Sequence, residues 1–122
     1  MNGNSVFLDT NIIIYILSWN RKYIDLFIWK NIYVSVISEL EVLSYNFINE
    51  KEEQIAKKFF ENVNIIEISY IVKDLVYIIR KKYKIKLPDS IILATSLYLG
   101  LNLETEDIKL KNIFLKIKNE LN

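Results

Sequence analysis

The chain has 122 residues, 52% of them hydrophobic and 25% charged, and 16 Lys+Arg against 15 Asp+Glu leave a formal +1. This composition excludes intrinsic disorder and suits one domain with its own core, expected over residues 1–122. With no cysteine and no histidine, disulfides, zinc fingers, haem axial histidines, thiol nucleophiles and histidine-based triads are excluded, so any metal must be held by oxygen and acid–base work falls to carboxylates, Lys or Tyr.

Met1 to Ser5 carries no basic n-region, and Asp9 and Asn11 interrupt the apolar stretch that follows. No secretory signal is therefore expected. Ile12 to Leu17 is far shorter than the roughly 20 apolar residues of a membrane span. A cytoplasmic protein with no membrane partner is the expectation. Val6, Phe7 and Leu8 form an uninterrupted apolar run, which reads as a strand buried on both faces. Thr10 or Asn11 can cap a helical segment over Ile12 to Leu17. Residues 21 to 30 repeat Ile24, Phe27 and Ile28 at helical spacing. Ile32 to Val36 reads as a second strand, and Ser38 opens a segment to about Tyr45. Residues 50 to 61 place Ile55, Phe59 and Phe60 on one face of a charged helix, and Val63 to Ile68 is a third strand.

Ser69 to Tyr83 reads as a helix with Val72, Leu75, Val76 and Ile79 as its buried stripe. Pro88 opens the next helix in its first turn, and Gly100 closes it after Leu99. Leu101 to Thr105 is a fourth strand. A short turn of helix follows, and Phe114 to Ile117 reads as a fifth, weaker strand. Apolar strands separated by helices predict an α/β fold with a mostly parallel sheet of four to five strands and helices on both faces. Ligand sites in such sheets lie beyond the carboxyl ends of the strands.

Four acids fall where that edge is expected. Asp9 follows the first strand, Asp107 lies just past the fourth, and Glu41 and Asp89 lie in the first turns of helices begun at Ser38 and Pro88. Gathered together they would repel one another, and one would be protonated unless a cation were present. A hard divalent ion such as Mg²⁺ or Mn²⁺, with oxygen ligands at about 2.0–2.1 Å, removes the repulsion. Bound to phosphate, such an ion polarises the P–O bond and lowers the pKa of an attacking water, which points to a phosphodiester substrate. Each acid also has a structural reading. Ser38 and Glu41 have the spacing of a capping box, Asp89 suits a helix N-terminus, Asp107 can cap a helix from Ile108, and Asp9 can cap the first helix. Asp9, set among Phe7, Leu8 and the apolar Ile12 to Leu17, is the one whose burial most requires a partner.

At these residues the chain resembles the PIN-domain ribonucleases, in particular the VapC-type toxins of bacterial toxin–antitoxin pairs. Phe7-Leu8-Asp9-Thr10-Asn11 is similar to the family's first motif, and Ser35-Val36-Ile37-Ser38-Glu39-Leu40-Glu41-Val42-Leu43-Ser44-Tyr45 to its second, with the acidic position on Glu41. Leu87-Pro88-Asp89-Ser90-Ile91-Ile92-Leu93-Ala94-Thr95 is similar to the third, and Leu103-Glu104-Thr105-Glu106-Asp107 to the fourth. The resemblance implies a three-layer PIN-like fold with strand order 3-2-1-4-5. It implies a metal-dependent endoribonuclease leaving 5′-phosphate and 3′-hydroxyl ends, with Mg²⁺ or Mn²⁺ bound by Asp9, Glu41, Asp89 and Asp107. Asn11, Ser38 and Thr105 would orient those acids. A homodimer neutralised by a small antitoxin is implied as well.

The chain departs from this pattern two positions beyond the fourth acid, where many relatives carry a further Asp followed by Phe and this chain has Lys109-Leu110. Lys109 cannot bind metal, so one tightly held ion is expected, with Lys109 turned to substrate phosphate. The basic run from Arg80 to Lys86 suits either a solvated helix end or a rail for an RNA backbone carrying Lys82, Lys84 and Lys86. Tyr15, Trp19 and Tyr45 suit base stacking or the core and dimer interface, and residues 21 to 30, with Phe27 and Trp29, are a candidate dimer contact. The rival readings are a nuclease acting on DNA or a small phosphate ester, a non-catalytic phosphoacceptor module of the receiver type, and a degenerate interaction domain. A receiver needs paired acids after its first strand, where Asp9 is instead followed by Thr10 and Asn11.

Overall fold

A computed structural model describes residues 4–121; Met1 to Gly3 and Asn122, included in the expected 1–122 domain, lie outside the described residues. Strands β1 (Ser5–Leu8), β2 (Asn31–Ser35), β3 (Asn64–Ile66) and β4 (Asn102–Glu104) form one sheet in the order β3-β2-β1-β4. All three pairings are parallel, with Val6 opposite Ile32 and Asn102, and Tyr33 opposite Asn64. Helices α1 (Thr10–Leu17) and α2 (Arg21–Trp29) join β1 to β2. Helices α3 (Val36–Leu43) and α4 (Glu50–Glu61) join β2 to β3. Helices α5 (Tyr70–Lys82) and α6 (Leu87–Leu99) join β3 to β4, and α7 (Ile108–Glu120) follows.

Alternation along β1 divides the core between the two faces of the sheet. Phe7 and Leu103 pack with Val72, Val76 and Ile79 of α5, Ile92 and Leu93 of α6, and Leu110 and Phe114 of α7. Val6, Leu8, Ile32 and Val34 point the other way, onto Ile12, Ile13 and Ile16 of α1, Val42 of α3, and Ala56, Phe59 and Phe60 of α4. The architecture is therefore three layers with a four-stranded central sheet, as the continuous apolar strands require.

Three expectations need correction. Phe114 to Ile117 is not a fifth strand: it lies within α7, where Leu110, Ile113, Phe114 and Ile117 recur at helical spacing and turn toward one core. The sheet order among the described residues therefore ends at β4, and the short helical turn expected after Thr105 is this 13-residue helix. Helix α3 begins at Val36 rather than Ser38, because Ser35 Oγ accepts the N–H of Ile37 at 3.1 Å and caps it. Ser38 is then inside the helix, buried, and freed from capping. The first helix takes Asp9 as its cap, as the structural reading of that acid expects, rather than Thr10 or Asn11.

The remaining ends follow local chemistry. Ser69 Oγ accepts from the Val72 N–H at 3.2 Å to start α5, and Pro88 occupies the first turn of α6. Gly100, at φ 69°, takes the left-handed conformation that ends α6 and turns the chain into β4.

Candidate functional site

Asp9 leaves β1 at its carboxyl end, and its backbone N–H still donates to Glu104 O of the neighbouring strand at 3.0 Å. Its side chain is only 5% exposed. Oδ1 accepts from the Thr10 N–H at 2.7 Å, and Oδ2 accepts from the Thr105 hydroxyl at 2.7 Å. Burial pushes the Asp9 carboxyl above its ordinary value; the hydrogen bonds from Thr105 and Thr10 oppose this, and the charge of Asp107 adds to it.

Thr105 joins two of the acids. Its Oγ1 donates to Asp9 and accepts the N–H of Asp107 at 3.0 Å. Asp107 in turn caps α7, accepting the Leu110 N–H at 3.0 Å, with its side chain at the surface. Residue 105 thereby fixes the turn from β4 into α7 and one carboxylate on each side of it.

Glu41 is reached through a second hydroxyl chain. Thr10 Oγ1 lies 2.9 Å from Glu41 Oε1 and 2.8 Å from Ser38 Oγ. Thr10 donates its one hydroxyl proton to Glu41 and therefore accepts from Ser38. Ser38 and Glu41, three residues apart in α3, share the helix face that contacts Thr10.

Asp89 completes the set from the first turn of α6. Burial raises its carboxyl first; the charges of Asp9 and Asp107 raise it further, the Lys86 ammonium pulls it down, and Glu41 pushes it up again. Although two helices rather than one join β3 to β4, the start of α6 still faces the carboxyl edge of β1 and β4. Carboxylates from four separate segments thus act on one another. The donors are all oxygen, which suits a hard divalent cation. Among the described residues, no three acids stand close enough together to hold an ion as they are placed.

Asn11, expected to orient the acids, is exposed on α1. Thr10, readable in sequence as a surface or cap hydroxyl, is instead buried and makes the link to Glu41. Its position directly after Asp9, in the first turn of a buried helix, is the signal for that role. The basic residues divide. Lys84, Lys86 and Lys109 line a cleft of about 490 Å³ that also contains Asp89 and Asp107, and Arg80 lines it with them. Lys82 is turned away, its Nζ 3.4 Å from Glu120 Oε2. Tyr15 stacks on Tyr23 at 5.4 Å, whereas Trp19 and Tyr45 are exposed.

The sheet is parallel in the order β3-β2-β1-β4, with Asp9 following β1 and Asp107 following β4. The PIN domain family matches residues 6–114, and the chain belongs to that family. It is 34% identical to a chain in a toxin–antitoxin complex from Klebsiella pneumoniae, covering 85% of this chain and 88% of that one, with a TM-score of 0.75. The fold is shared with a chain of VapBC2 from Rickettsia felis, solved bound to a DNA fragment from their promoter (22% identity, 89% and 92% covered, TM-score 0.77). It is shared also with a chain of FitAcB from Neisseria gonorrhoeae (20% identity, 89% and 92% covered, TM-score 0.72). Among curated proteins nothing matches.

Proposed function

We propose that this protein is a metal-dependent endoribonuclease, hydrolysing phosphodiester bonds in structured or single-stranded RNA, and the toxin of a toxin–antitoxin pair. The observation that carries the reading is the gathering of acids from separate segments: Thr105 joins Asp9 to Asp107, Thr10 reaches Glu41, and Asp89 is raised first by its burial and then by the charges of Asp9, Asp107 and Glu41. A fold keeps such an arrangement when a cation resolves it. Asp9, Glu41, Asp89 and Asp107 would hold one Mg²⁺ or Mn²⁺, which when bound would supply an activated water and charge stabilisation at phosphorus. The protein's own part is positioning. Thr105 orients Asp9 and, through its backbone contact, Asp107; the Ser38–Thr10 pair orients Glu41. Asn11 is exposed on α1; Lys84, Lys86 and Lys109 are the cations offered to the RNA backbone, whereas Lys82, paired with Glu120, lies outside that set.

The partner reading has support in exposed apolar surface. A groove of about 550 Å³ runs between α1, α2 and α4, lined by Ile16, Leu17, Ile24, Phe27, Ile28 and Phe59. Patches of this kind mark protein contacts. We assign the apolar surfaces to a small antitoxin and to a homodimer of a cytoplasmic protein built as one domain over residues 1–122. No helix of the described residues is long and apolar enough to cross a membrane.

The test is cleavage of a total RNA pool, with a DNA pool beside it, by the parent and Asp89→Asn under Mg²⁺, Mn²⁺ and EDTA, with mapped ends. The parent should cut RNA with either ion and not with EDTA. Partners that merely orient a metal ligand are worth about 10- to 100-fold, so loss of a ligand should cost more than about 100-fold. Equal cleavage by parent and variant, or cleavage confined to DNA, contradicts the reading.

A further inference from the structure

We propose that the cleft between the end of α5 and the start of α7 is a phosphate subsite that holds a second backbone phosphate of the RNA strand, next to the one at the carboxylates. The inference rests on the nuclease reading and adds a substrate requirement to it: a strand that continues past the scissile phosphate on that side. Four cations, Arg80, Lys84, Lys86 and Lys109, line the cleft, and its only acids are Asp89 and Asp107, both members of the carboxylate site. Positive and negative halves therefore share one wall, and a strand lying across the carboxylates passes directly into the basic half.

The cations are carried on a fixed segment rather than a loose one. The chain between α5 and α6 is held from both sides: Arg80 Nε donates to Ile85 O at 3.2 Å, and Lys109 Nζ donates to Lys84 O at 2.7 Å. Ile85 between them packs against the core. Lys109 thus ties the helix bearing Asp107 to the segment bearing Lys84 and Lys86. Once Nε is used, the Arg80 guanidinium still has its two terminal nitrogens, the fork that matches two phosphate oxygens. No hydrogen bond or ion pair among the described residues uses the Lys84 ammonium. Holding donors in place before the ligand arrives lowers the ordering penalty of binding. Lys82 is adjacent in sequence but pairs with Glu120 outside the cleft. It therefore separates a defined subsite from diffuse charge along the helix end.

The experiment uses the full chain in EDTA, where nothing is cleaved. Dissociation constants for UpU, pUpU and UpUp are measured by NMR titration, for the parent and for Lys84→Gln, Arg80→Gln and Lys82→Gln. One of the two terminal phosphates should tighten binding by at least about fivefold in the parent. Its salt dependence should steepen by about 0.7 in log–log slope, the value for one phosphate contact on a single strand. Lys84→Gln should bring the gain within twofold of none while leaving the amide spectrum otherwise intact. Arg80→Gln should do the same, and since it also frees Ile85 O, the lysine variant is the deciding one. Lys82→Gln should keep the gain. No gain from either terminal phosphate overturns the subsite, and so does a gain reduced equally by all three substitutions. Inorganic phosphate and acetate, titrated alone, complete the series: a cleft that prefers acetate is built for a protein carboxylate, which overturns the proposal. A gain that persists in a protein that cuts no RNA leaves the cleft standing and removes the nuclease reading instead.

Discussion

Asp9 is the residue on which the site turns. It caps α1, closes the ladder to β4 and accepts a hydroxyl from Thr105, all while buried. Burial and neighbouring charge raise Asp9 and Asp89 from the ordinary value of 3.8 they regain on unfolding. The folded chain then binds their protons more tightly than the unfolded chain does. The stability this confers is fully present below 3.8 and is lost as pH rises through the raised folded values. Metal-free protein should therefore melt higher as pH falls from neutral toward that window, as far as these two groups decide it. Asp9→Asn, which keeps a capping side chain and removes the charge, should melt above the parent at neutral pH in EDTA, and the difference should shrink on acidification. Melting curves across pH for the two proteins check this; a variant that melts lower at neutral pH contradicts it.

At the scale of elements, the sequence was legible wherever one period dominated. Phe7 and Leu8 gave a strand, Val72, Val76 and Ile79 gave a helix face, and Pro88 with Gly100 bracketed α6. Phe114 to Ile117 misled because a four-residue apolar-rich window fits a strand as well as a helix; only the wider spacing from Leu110 to Ile117 decides it. The start of α3 misled because Ser35 and Ser38 are both competent caps, and the choice falls to the end of the β2 ladder, where Ser35 pairs with Ile66. That three-residue shift has functional weight: it converts Ser38 from a cap into a donor toward Thr10. The order of the segments that carry the four acids was readable in the sequence, whereas the hydrogen bonds of Thr10 to Ser38 and Glu41 join residues 28 and 31 positions apart, which no local pattern encodes. Gly100 offers a test at this scale. A Cβ there meets nothing within 4 Å, so Gly100→Ala loses only backbone freedom at φ 69°. Left-handed alanine costs about 1–2 kcal/mol, and urea denaturation should show a loss of that size; an unchanged midpoint would mean that α6 ends in another way.

For the whole molecule, the three layers put two unlike surfaces on one small protein. The carboxyl edge of the sheet gathers acids from β1, α3, α6 and the β4–α7 turn, with the cations of α5 and α7 beside them. The face made by α1, α2 and α4 leaves Trp19, Phe27 and Ile28 exposed beside an apolar groove. The proposed function places substrate chemistry and protein contact on different layers of the fold. The first of these assignments depends on a single ion drawing together acids that otherwise stand apart. Calorimetric titration of Mn²⁺ into RNA-free protein measures that directly. One tight equivalent per chain, lost in both Asp9→Asn and Asp89→Asn, is the predicted result. No saturable binding, two tight equivalents, or binding untouched by either substitution would contradict it.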